Sequence, residues 1–567
     1  MTTPDRYRAI GDENPVVRPN MDQVANQLRR ARLHLRLALN ADSAIHAVKD
    51  MQQVVRQFRT SVAEADIRFA QDTLNTQAER DYIFFQDATR QLEHHLLQFQ
   101  AALLSSRYLA DIEAAFGSYL VKLCEASTRI HQDRTLDERQ QEDRLTRRYR
   151  QLYSSITVEW QEQKSSLSAM TAACQDPDRT IRQQAHLAID KSLSLRAGEM
   201  DDVLDELVDC RHQMAVQAGF SSFTEIGYIR LGRFDCTIEH MNAIHEDVRR
   251  YIVPLAREIR HLQRKRLKVE HLHEYDLTCF FPEGNPSAFL QGDLYIQSID
   301  EAIRQFTEEK DFSIRDMIDS GLTDFEARSG KIPHSQMFFL PHDKKTYLMM
   351  QETSTHQDTN SLLSLTGQAF AYSRIMNNPD RIDPLRPDSE THLLYGAALP
   401  LLLLPQLKPI FDVRHDDYAA MYVTQLLLKL PELCLLDVFQ HEIYRNPEMT
   451  PQQRNRLWRI LEKKYLPDLD LDDASFMTSG RGWQMSVRDI ETPFSAGSAV
   501  LADLTALELW RISLKNPARA QRHFLSLCQA GGSKSYMSLL TDENLPLPID
   551  PDTLKRVAYA GCDALSL

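Results

Sequence analysis

Residues 345–376, KTYLMMQETSTHQDTNSLLSLTGQAFAYSRIM, are the stretch on which the interpretation of this chain depends. Residues 346–352 predict a strand, the Ser/Thr/Asn-rich residues that follow predict a loop, and the residues from about Ser361 predict a helix. A zinc site on such a helix would need two histidines four residues apart on one face, with a glutamate beside the first to activate water. At the centre of the predicted helix the chain has instead Ser364-Leu365-Thr366-Gly367-Gln368, none of which is a good zinc ligand or a general base.

Length and composition place the chain among large soluble helical proteins. Its 567 residues are too many for one simple core, so we expect two or more subdomains. Hydrophobic residues make up 43% and glycine is scarce at 18 residues, which favours helix. The net charge of -14 is spread along the chain, and it argues against nucleic acid as a partner.

Local features exclude several other classes of protein. The one dense basic run, residues 257–266 (REIRHLQRKR), is interpreted as a solvated helix face rather than a polyanion site. The eight cysteines form no CxxC pair, which is typical of reduced thiols. The longest apolar run, residues 397–404, contains Pro400 and is shorter than the ~20 residues of a membrane-spanning helix. The first residues hold no signal-peptide core. We therefore expect no membrane segment and a cytoplasmic location.

The remaining pattern predicts a fold that is mainly α with a small β component. Amphipathic helices are expected at about residues 21–60, 78–103, 108–130 and 138–162, in a region almost free of proline and glycine. We interpret residues 1–185 as an N-terminal helical lobe and residues 186–567 as a second lobe. Residues 331–341, KIPHSQMFFLP, predict a short edge strand, and Thr450-Pro451-Gln452-Gln453 predicts a capped helix start.

Several long stretches carry a resemblance to a known family. In chain order they are AGFSSFTEIGYIRLGR, VPLAREIRHLQRKRL, YDLTCFFPEGNP, HEIYRNPEMTPQQRNRLWRILEKKYLP and LCQAGGSKSYMSLL. Over most of its length the chain resembles the oligoendopeptidase F family of zinc metallopeptidases, relatives of thimet oligopeptidase. The resemblance implies a two-lobed, prolate, mostly helical fold with an internal channel. It makes residues 186–567 the metallopeptidase-like lobe.

Transferred position by position, the resemblance shows which family residues are absent. The family's zinc motif, HExGHAF, falls on residues 364–370, where Gly367, Ala369 and Phe370 agree. The first histidine ligand becomes Ser364, the catalytic glutamate becomes Leu365, and the second histidine becomes Gln368. The third ligand, a glutamate, best matches Glu390 of Glu390-Thr391-His392-Leu393. The resemblance therefore implies a member whose zinc motif is lost, so we expect no metal and no cofactor.

Two further family segments are also changed. Lys331-Ile332-Pro333-His334-Ser335 replaces the glycine-rich edge strand that holds the substrate backbone. In the segment after Trp483-Gln484, the family's histidine becomes Arg488, its tyrosines become Ser495 and Ala496, and its Asp-Tyr becomes Ser498-Ala499. An oxyanion donor is typically worth ~2.7–4 kcal/mol of transition-state stabilisation. The residues expected to line the peptide channel are His334, Glu390, His392, Arg488, Ser495 and Ser498.

These residues predict a pseudoenzyme, and they leave its role open. The channel could bind a peptide or a protein. Alternatively, the chain could act as a regulatory or structural subunit, with an active paralogue or with itself as a homo-oligomer, or as a scaffold whose channel is vestigial. The competing interpretation is an active metallo-oligopeptidase with a site rebuilt from Glu390, His392, His356 and Asp358.

Overall fold

The computed structural model describes residues 16–130, 135–328, 330–332, 334–377, 388–471 and 475–566. The chain begins with helices packed on one another. They are α1 Met21–Arg36, α2 Ala41–Gln71, α3 Thr76–Leu104, α4 Leu109–Phe116, α5 Ser118–Ile130 and α6 Leu136–Ser154. The helix predicted over residues 21–60 is in fact two helices. Asn40 separates them because its side chain caps α2 through the backbone N–H of Ser43.

A β-hairpin follows α6, and it corrects the helix predicted over residues 138–162. The strands are β1 Thr157–Trp160 and β2 Gln163–Ser166, and they pair in antiparallel fashion. Gln161 and Glu162 turn the chain with φ angles of 50° and 64°. A two-residue turn of this hand matches the strand twist, and β-branched Thr157 and Val158 favour a strand over a helix. The helical pattern therefore ends at Ser154.

The middle of the chain returns to helix and adds a small sheet. Its helices are α7 Thr171–Cys174, α8 Arg179–Ser194, α9 Ala197–Ala218, α10 Phe223–Leu231, α11 Ile238–Asp247, α12 Val253–Leu267, α13 Gly292–Thr307 and α14 Ile314–Asp319. The strands are β3 Thr323–Asp324, β4 Gln336–Leu340 and β5 Lys345–Met349, in the order β3-β5-β4. β4 is therefore the edge strand predicted within residues 331–341, and it pairs antiparallel with β5.

The last third of the chain contains the central helices. They are α15 His356–Asn377, α16 Ser389–Leu403, α17 Lys408–Phe411, α18 His415–Arg445, α19 Pro451–Tyr465, α20 Ser475–Thr478, α21 Val487–Glu491, α22 Ser495–Lys515, α23 Pro517–Ala530, α24 Tyr536–Asp542 and α25 Pro551–Leu565. α19 starts as predicted, because Thr450 and Gln453 form a capping box with Pro451 at the first turn. The predicted fold class, mainly α with a small β component, is confirmed.

The largest hydrophobic core surrounds α22. This helix is buried without a break from Ser495 to Trp510, including Asp503 and Glu508. α16, α18, α23 and α25 pack against it. A second hydrophobic cluster is formed mainly by residues of the helices α1 to α5. Its last member along the chain is Cys124, and the first member of the main cluster is Ile130. The lobe boundary near residue 185 stays a prediction.

The N-terminal helices are attached directly to the small sheet. Ile67 and Ala70 of α2 pack against Phe338 of β4 and Tyr347 of β5. Gln71 Nε2 donates to Tyr347 Oη at 2.9 Å. These contacts place the end of α2 beside the strand that leads into α15.

Candidate functional site

The helix that carries the degenerate motif begins at His356, five residues earlier than predicted. Its start is stabilised by Asp358, whose Oδ1 accepts from the backbone N–H of Thr353 at 2.8 Å and from its hydroxyl at 2.8 Å. Two turns later lie the motif positions. Leu365 is 3% exposed and packs in the main core, so the position of the family's catalytic glutamate is an apolar core position here.

Ser364 and Gln368 face α16 at very short range. A Cβ atom added to Gly396 of α16 would lie 2.6 Å from Ser364 Oγ and 3.0 Å from Gln368 Nε2. In the same contact, a Cβ atom added to Gly367 of α15 would lie 2.2 Å from the carbonyl oxygen of Tyr395. The two helices therefore approach through glycines, backbone against backbone. Little room is left between them at the positions where the family's two histidines would lie.

Glu390, the expected third ligand, is held in a buried ion pair. Its Oε1 accepts from Arg233 Nε at 2.6 Å and from Ser498 Oγ at 2.8 Å. Both charged side chains are 1% exposed. Arg233 also donates to Ser498 Oγ at 2.8 Å and to the carbonyl oxygen of Phe494 at 3.1 Å. The carboxylate charge is thus already neutralised by a guanidinium, which cannot lose its proton in a protein.

A second buried carboxyl lies beside this pair. Burial, followed by the negative charge of Glu390, raises the pKa of Asp388 well above its ordinary value. Asp388 Oδ1 accepts the backbone N–H of Thr391 at 2.7 Å and caps α16. The raised pKa means that these surroundings disfavour a second carboxylate charge beside the Arg233–Glu390 pair.

A polar cluster on α18 continues from the same arginine. The guanidinium of Arg233 lies 4.4 Å from the ring centroid of Tyr228, whose hydroxyl is 2.9 Å from His441 Nε2. Asp437 Oδ2 is 2.8 Å from His245 Nε2. Burial would raise the pKa of Asp437, and its positive neighbours, His441 first, hold it below its ordinary value. The cluster bonds mostly to itself, which is typical of a structural network.

The residues of the proposed rebuilt site are not grouped as metal ligands. His356 Nε2 lies 2.9 Å from Gln425 Nε2, and burial lowers the pKa of His356 to about 4. Asp358 Oδ1 accepts two hydrogen bonds from Thr353, and the ring of His392 packs edge-on against Tyr372 at 5.7 Å. Over the described ranges, no group of three or more His, Cys, Asp or Glu side chains is arranged to hold a metal ion.

The side chains at these positions can be compared with the ligands that the family's zinc ion requires. A catalytic zinc ion takes three protein ligands and keeps one open position. Ser364 and Gln368 offer a neutral hydroxyl and a neutral amide. Glu390 Oε1 already accepts two hydrogen bonds, one of them from the buried cation Arg233. This donor set does not fit a catalytic zinc ion.

Two of the other predicted positions lie near each other at the surface. His334 and Arg488 both have exposed side chains, and each lies within electrostatic range of the other. Burial lowers the pKa of His334, with Glu491 raising it and Arg150 lowering it. His334, Arg488, Glu491 and Arg150 therefore form one polar group of side chains, which is named the polar cleft.

An arginine from α6 belongs to the same polar group. Arg150 donates from Nε and Nη2 to the two carboxylate oxygens of Glu491, both at 2.7 Å. It also hydrogen-bonds the hydroxyl of Tyr82. Burial raises the pKa of nearby Asp66 to about 7. The bidentate pair connects α6 to α21.

The remaining predicted positions are distributed between these places. Ser498 belongs to the Glu390 pair. Ser495 is buried and donates to Asp489 Oδ1 at 2.5 Å.

Sequence reasoning missed Arg233 and Arg150. Arg233 ends the matching stretch AGFSSFTEIGYIRLGR, so a search for the partner of Glu390 among the arginines of the matching stretches could have found it. Arg150 has no such signal.

Comparison with known proteins agrees with this fold. The family model for the peptidase M3 N-terminal domain matches residues 12–131. A crystal structure named as an oligoendopeptidase F is 28% identical, with a TM-score of 0.94 and 98% of each chain covered. PZ peptidase A with an inhibitor is 27% identical, with a TM-score of 0.94, covering 98% of this chain and 99% of that one.

A third structure and the curated proteins complete the comparison. A protein named as an oligoendopeptidase F from Bacillus anthracis is 26% identical, with a TM-score of 0.88, covering 97% of this chain and 96% of that one. No curated protein matches the chain. The protein thus has the fold of a metallopeptidase. More particularly, it resembles the oligoendopeptidase F family along nearly its whole length.

One helical stretch passes a membrane-span test by length and composition. It is Ser389–Arg445, and 67% of its apolar window is buried inside the protein. These residues supply much of the main core, since α16 and α18 pack on α22. Such burial is typical of a core helix.

Proposed function

We propose that this protein is an oligoendopeptidase-F-like pseudopeptidase that binds a peptide or a protein segment without hydrolysing it. The observation that carries the proposal is the state of the three ligand positions. Two have neutral side chains pressed against α16, and the third, Glu390, is paired with Arg233. Leu365 has no lone pair, so it cannot take a proton from water. General-base hydrolysis of the family type therefore has no base at this position.

The cleft between α6 and α21 is the proposed binding surface. It offers groups suited to a peptide: an exposed imidazole at His334 and an exposed guanidinium at Arg488, with the Arg150–Glu491 ion pair beside them. β4 is an edge strand beside it, and an extended peptide can pair with such an edge. In this proposal the protein acts in the cytoplasm, either by holding a peptide or as a subunit beside an active relative or a second copy of itself.

The test separates metal, hydrolysis and binding. Protein purified without chelator from zinc-supplemented cells is analysed for metal and incubated with a quenched peptide library. We expect zinc far below one ion per chain and no cleavage. Stoichiometric zinc together with chelator-sensitive cleavage would establish the alternative, an active metallo-oligopeptidase with a rebuilt site.

Binding is tested with a matched pair of variants. Fluorescent peptide pools of defined length are titrated against the protein, and anisotropy is measured. His334→Ala should weaken binding several-fold, because it removes a side chain from the cleft wall. His46→Ala, which changes a histidine that is 75% exposed on α2, should leave binding unchanged. If the two variants bound the peptide pools with equal affinity, the polar cleft would be excluded as the binding surface.

A further inference from the structure

Two exposed apolar patches of opposite charge lie outside the polar cleft and the Glu390 pair. The first, named the basic patch, is at the carboxyl end of α1. Leu33, Leu37 and Leu39 are between 53% and 85% exposed there. Single exposed leucines are ordinary on a protein surface, but a group of them beside charges of one sign is typical of a surface that binds another molecule.

Arginines flank these leucines on both sides of the helix. Leu33 and Leu37 share one face of α1, because residues four apart lie one above the other. At 3.6 residues per turn, Arg30 lies on one side of this face, and Arg29 and Arg36 lie on the other. All three arginines are exposed, and within the described ranges none of them is paired with a carboxylate. The basic patch therefore combines apolar side chains with unpaired cations.

The surroundings leave the basic patch positive. Arg107 Nη2 donates to the carbonyl oxygen of Ala38 at 2.8 Å, which adds a further guanidinium at the end of α1. Of the nearby carboxylates, Asp50 lies 3.8 Å from His34 Nδ1, and Asp42 is exposed at the start of α2. The guanidiniums outnumber these acidic groups on a chain whose net charge is -14.

The second patch, named the acidic patch, is formed where the segment before α13 meets α17. The backbone N–H of Phe289 donates to the carbonyl oxygen of Ile410 at 2.8 Å. Phe289, Leu294 and Val413 are between 62% and 90% exposed. Three large apolar side chains therefore reach solvent from neighbouring segments.

The backbone next to Val413 is held in an unusual conformation. Asp412, the residue after α17, has φ 47° and ψ -123°, outside the small left-handed region open to residues with a Cβ atom. Such a conformation persists only where the surrounding structure fixes it. Arg414 Nη1 donates to the carbonyl oxygen of Gly284 at 2.9 Å and so fixes the segment that follows. The exposure of Val413 is therefore a built feature of this surface.

The exposed charged residues around the acidic patch are mostly carboxylates. They are Glu283, Asp293, Asp412 and Asp416, with Lys408 as an exposed cation beside them. Asp412 has no ion pair in the part of the chain that the structure describes, and Asp416 Oδ1 lies 3.0 Å from His415 Nδ1. The acidic patch therefore combines apolar side chains with negative charge that the protein does not neutralise.

From these patches we propose that the chain associates with a second copy of itself, the basic patch of one copy binding the acidic patch of the other. Each patch has the apolar centre and the charge that suit the other, and such complementarity steers and orients protein association. Two basic patches or two acidic patches would place like charges together, so the contact joins unlike surfaces. An anionic membrane would suit the basic patch alone, whereas a second copy accounts for both.

This association is independent of peptide binding and hydrolysis. It gives a location to the second copy that the proposed function names among its partners. It uses no residue of the polar cleft or of the Glu390 pair. Its outcome can therefore be measured separately from metal content, cleavage and peptide affinity.

Sedimentation velocity over a wide range of protein concentrations measures the association. We expect the unchanged protein to self-associate at low salt and to do so more weakly at high salt, because exposed charges are screened. A protein that stays monomeric under all these conditions would overturn the proposal.

Charge reversal tests the pairing of the two patches. Arg30→Glu with Arg36→Glu, and separately Asp412→Lys with Asp416→Lys, should each weaken self-association about tenfold or more. All four side chains are exposed, so both variants are expected to fold, and circular dichroism checks this. When the two variants are mixed, association should return, because the reversed patches are complementary again. A mixture that stays monomeric would overturn the proposal.

Matched variants separate the patches from net charge. Arg144→Glu with Arg522→Glu makes the same change in net charge at exposed arginines outside both patches, and it should associate as the unchanged protein does. Leu37→Ser and Val413→Ser leave the charge unchanged and should each weaken association several-fold, because they remove apolar surface. A loss in the arginine control equal to that in the basic-patch variant would show that net charge alone is responsible, and it would overturn the proposal.

Phosphatidylserine vesicles test the other occupant of the basic patch. We expect the unchanged protein not to sediment with them. Sedimentation with vesicles that Leu37→Ser abolishes, in a protein that stays monomeric, would assign the basic patch to a lipid surface and overturn the proposal. Zinc-dependent cleavage, or failure of the peptide pools to bind, would overturn the proposed function and leave the association result unaffected.

Discussion

At the scale of single residues, the buried pair of Arg233 and Glu390 is the most consequential contact. Arg233 binds the carboxylate of Glu390, which is the group that a metal ion would need as a ligand. Both side chains are 1% exposed. A buried ion pair is weak evidence for stability, because desolvation opposes the Coulomb attraction. Removing one partner is different, since the other charge is then left in the core. The pair is therefore sensitive to single substitutions.

Arg233→Met should lower the free energy of unfolding by about 3–5 kcal/mol, because it leaves Glu390 buried without its cation. Urea denaturation measures the free energy of unfolding of the variant and of the unchanged protein. Arg196→Met is the control, since Arg196 pairs with Glu199 at the surface with both side chains 46% exposed. The control should cost less than about 1 kcal/mol. Equal losses in the two variants would mean that the buried pair contributes no more than a surface pair.

His356 gives a second prediction at this scale, concerning pH. Its folded-state pKa is about 4, below the ordinary value of 6.5, because the imidazole is buried. Between these values the unfolded chain binds the proton and the folded chain does not. Stability is therefore fully present above pH 6.5 and is lost as pH falls toward 4.

The size of this effect can be measured against a variant. From pH 7 to pH 5 the unchanged protein should lose about 2 kcal/mol more than His356→Gln, which cannot titrate. Denaturant unfolding at several pH values measures both. Parallel pH profiles for the two proteins would show that His356 is not the group responsible.

At the scale of elements, the contact between α15 and α16 decides what the degenerate motif can do. Gly367 and Gly396 let the helices approach closely, with Ser364 and Gln368 between them. In a packed core, space removed from a site cannot be regained without moving a helix. Ser364 and Gln368 are therefore part of a helix interface.

Gly367→Ala should destabilise the protein by about 1–3 kcal/mol, as overpacking does in a filled core. The added Cβ would meet a backbone oxygen, that of Tyr395, which cannot rotate away. Gly198→Ala on α9 is the control, because nothing lies within 4 Å of its Cβ position. Alanine there should be neutral or stabilising by up to about 1 kcal/mol. Thermal unfolding compares the two, and a stabilising Gly367→Ala would contradict the close approach.

At the scale of the whole molecule, the positions that the family resemblance singles out are spread over several segments. The resemblance implies changes in the motif helix, in the segment at 331–335 and in the segment after Trp483. Ser364 and Gln368 lie at the interface with α16, His334 and Arg488 belong to the polar cleft, and Ser498 belongs to the buried Glu390 pair. Under the proposed function, no single segment would restore hydrolysis by itself.

The combined change Ser364→His, Leu365→Glu and Gln368→His tests this at the level of the protein. We expect partial zinc binding and no more than trace cleavage. Glu390 would remain paired with Arg233, and the oxyanion groups would still be missing, each worth ~2.7–4 kcal/mol. Metal analysis and the quenched library measure both properties. Full activity would show that the outer positions matter less than we infer.

The sequence by itself determined much of the fold. Helical periodicity, scarce glycine and the capping box at Thr450 predicted the helices, because these signals are local. The hairpin at 157–166 was missed, since helical propensity in α6 hides a turn that depends on positive φ at Gln161 and Glu162. That Ser364, Leu365 and Gln368 stand at the family's motif positions stays a prediction from the sequence, because it rests on side-chain identity at an aligned register and not on coordinates.

Only the tertiary structure decided how the remaining groups are used. Glu390 and Arg233 are 157 residues apart, and no local sequence pattern spans such a distance. Their pairing arises from the packing of α10 against the core helices. The proximity of His334 to Arg488 is equally non-local. The sequence states which charged residues the chain contains. Burial and distance decide which of them are neutralised and which are left for a ligand, because both depend on the packing of segments that are distant along the chain.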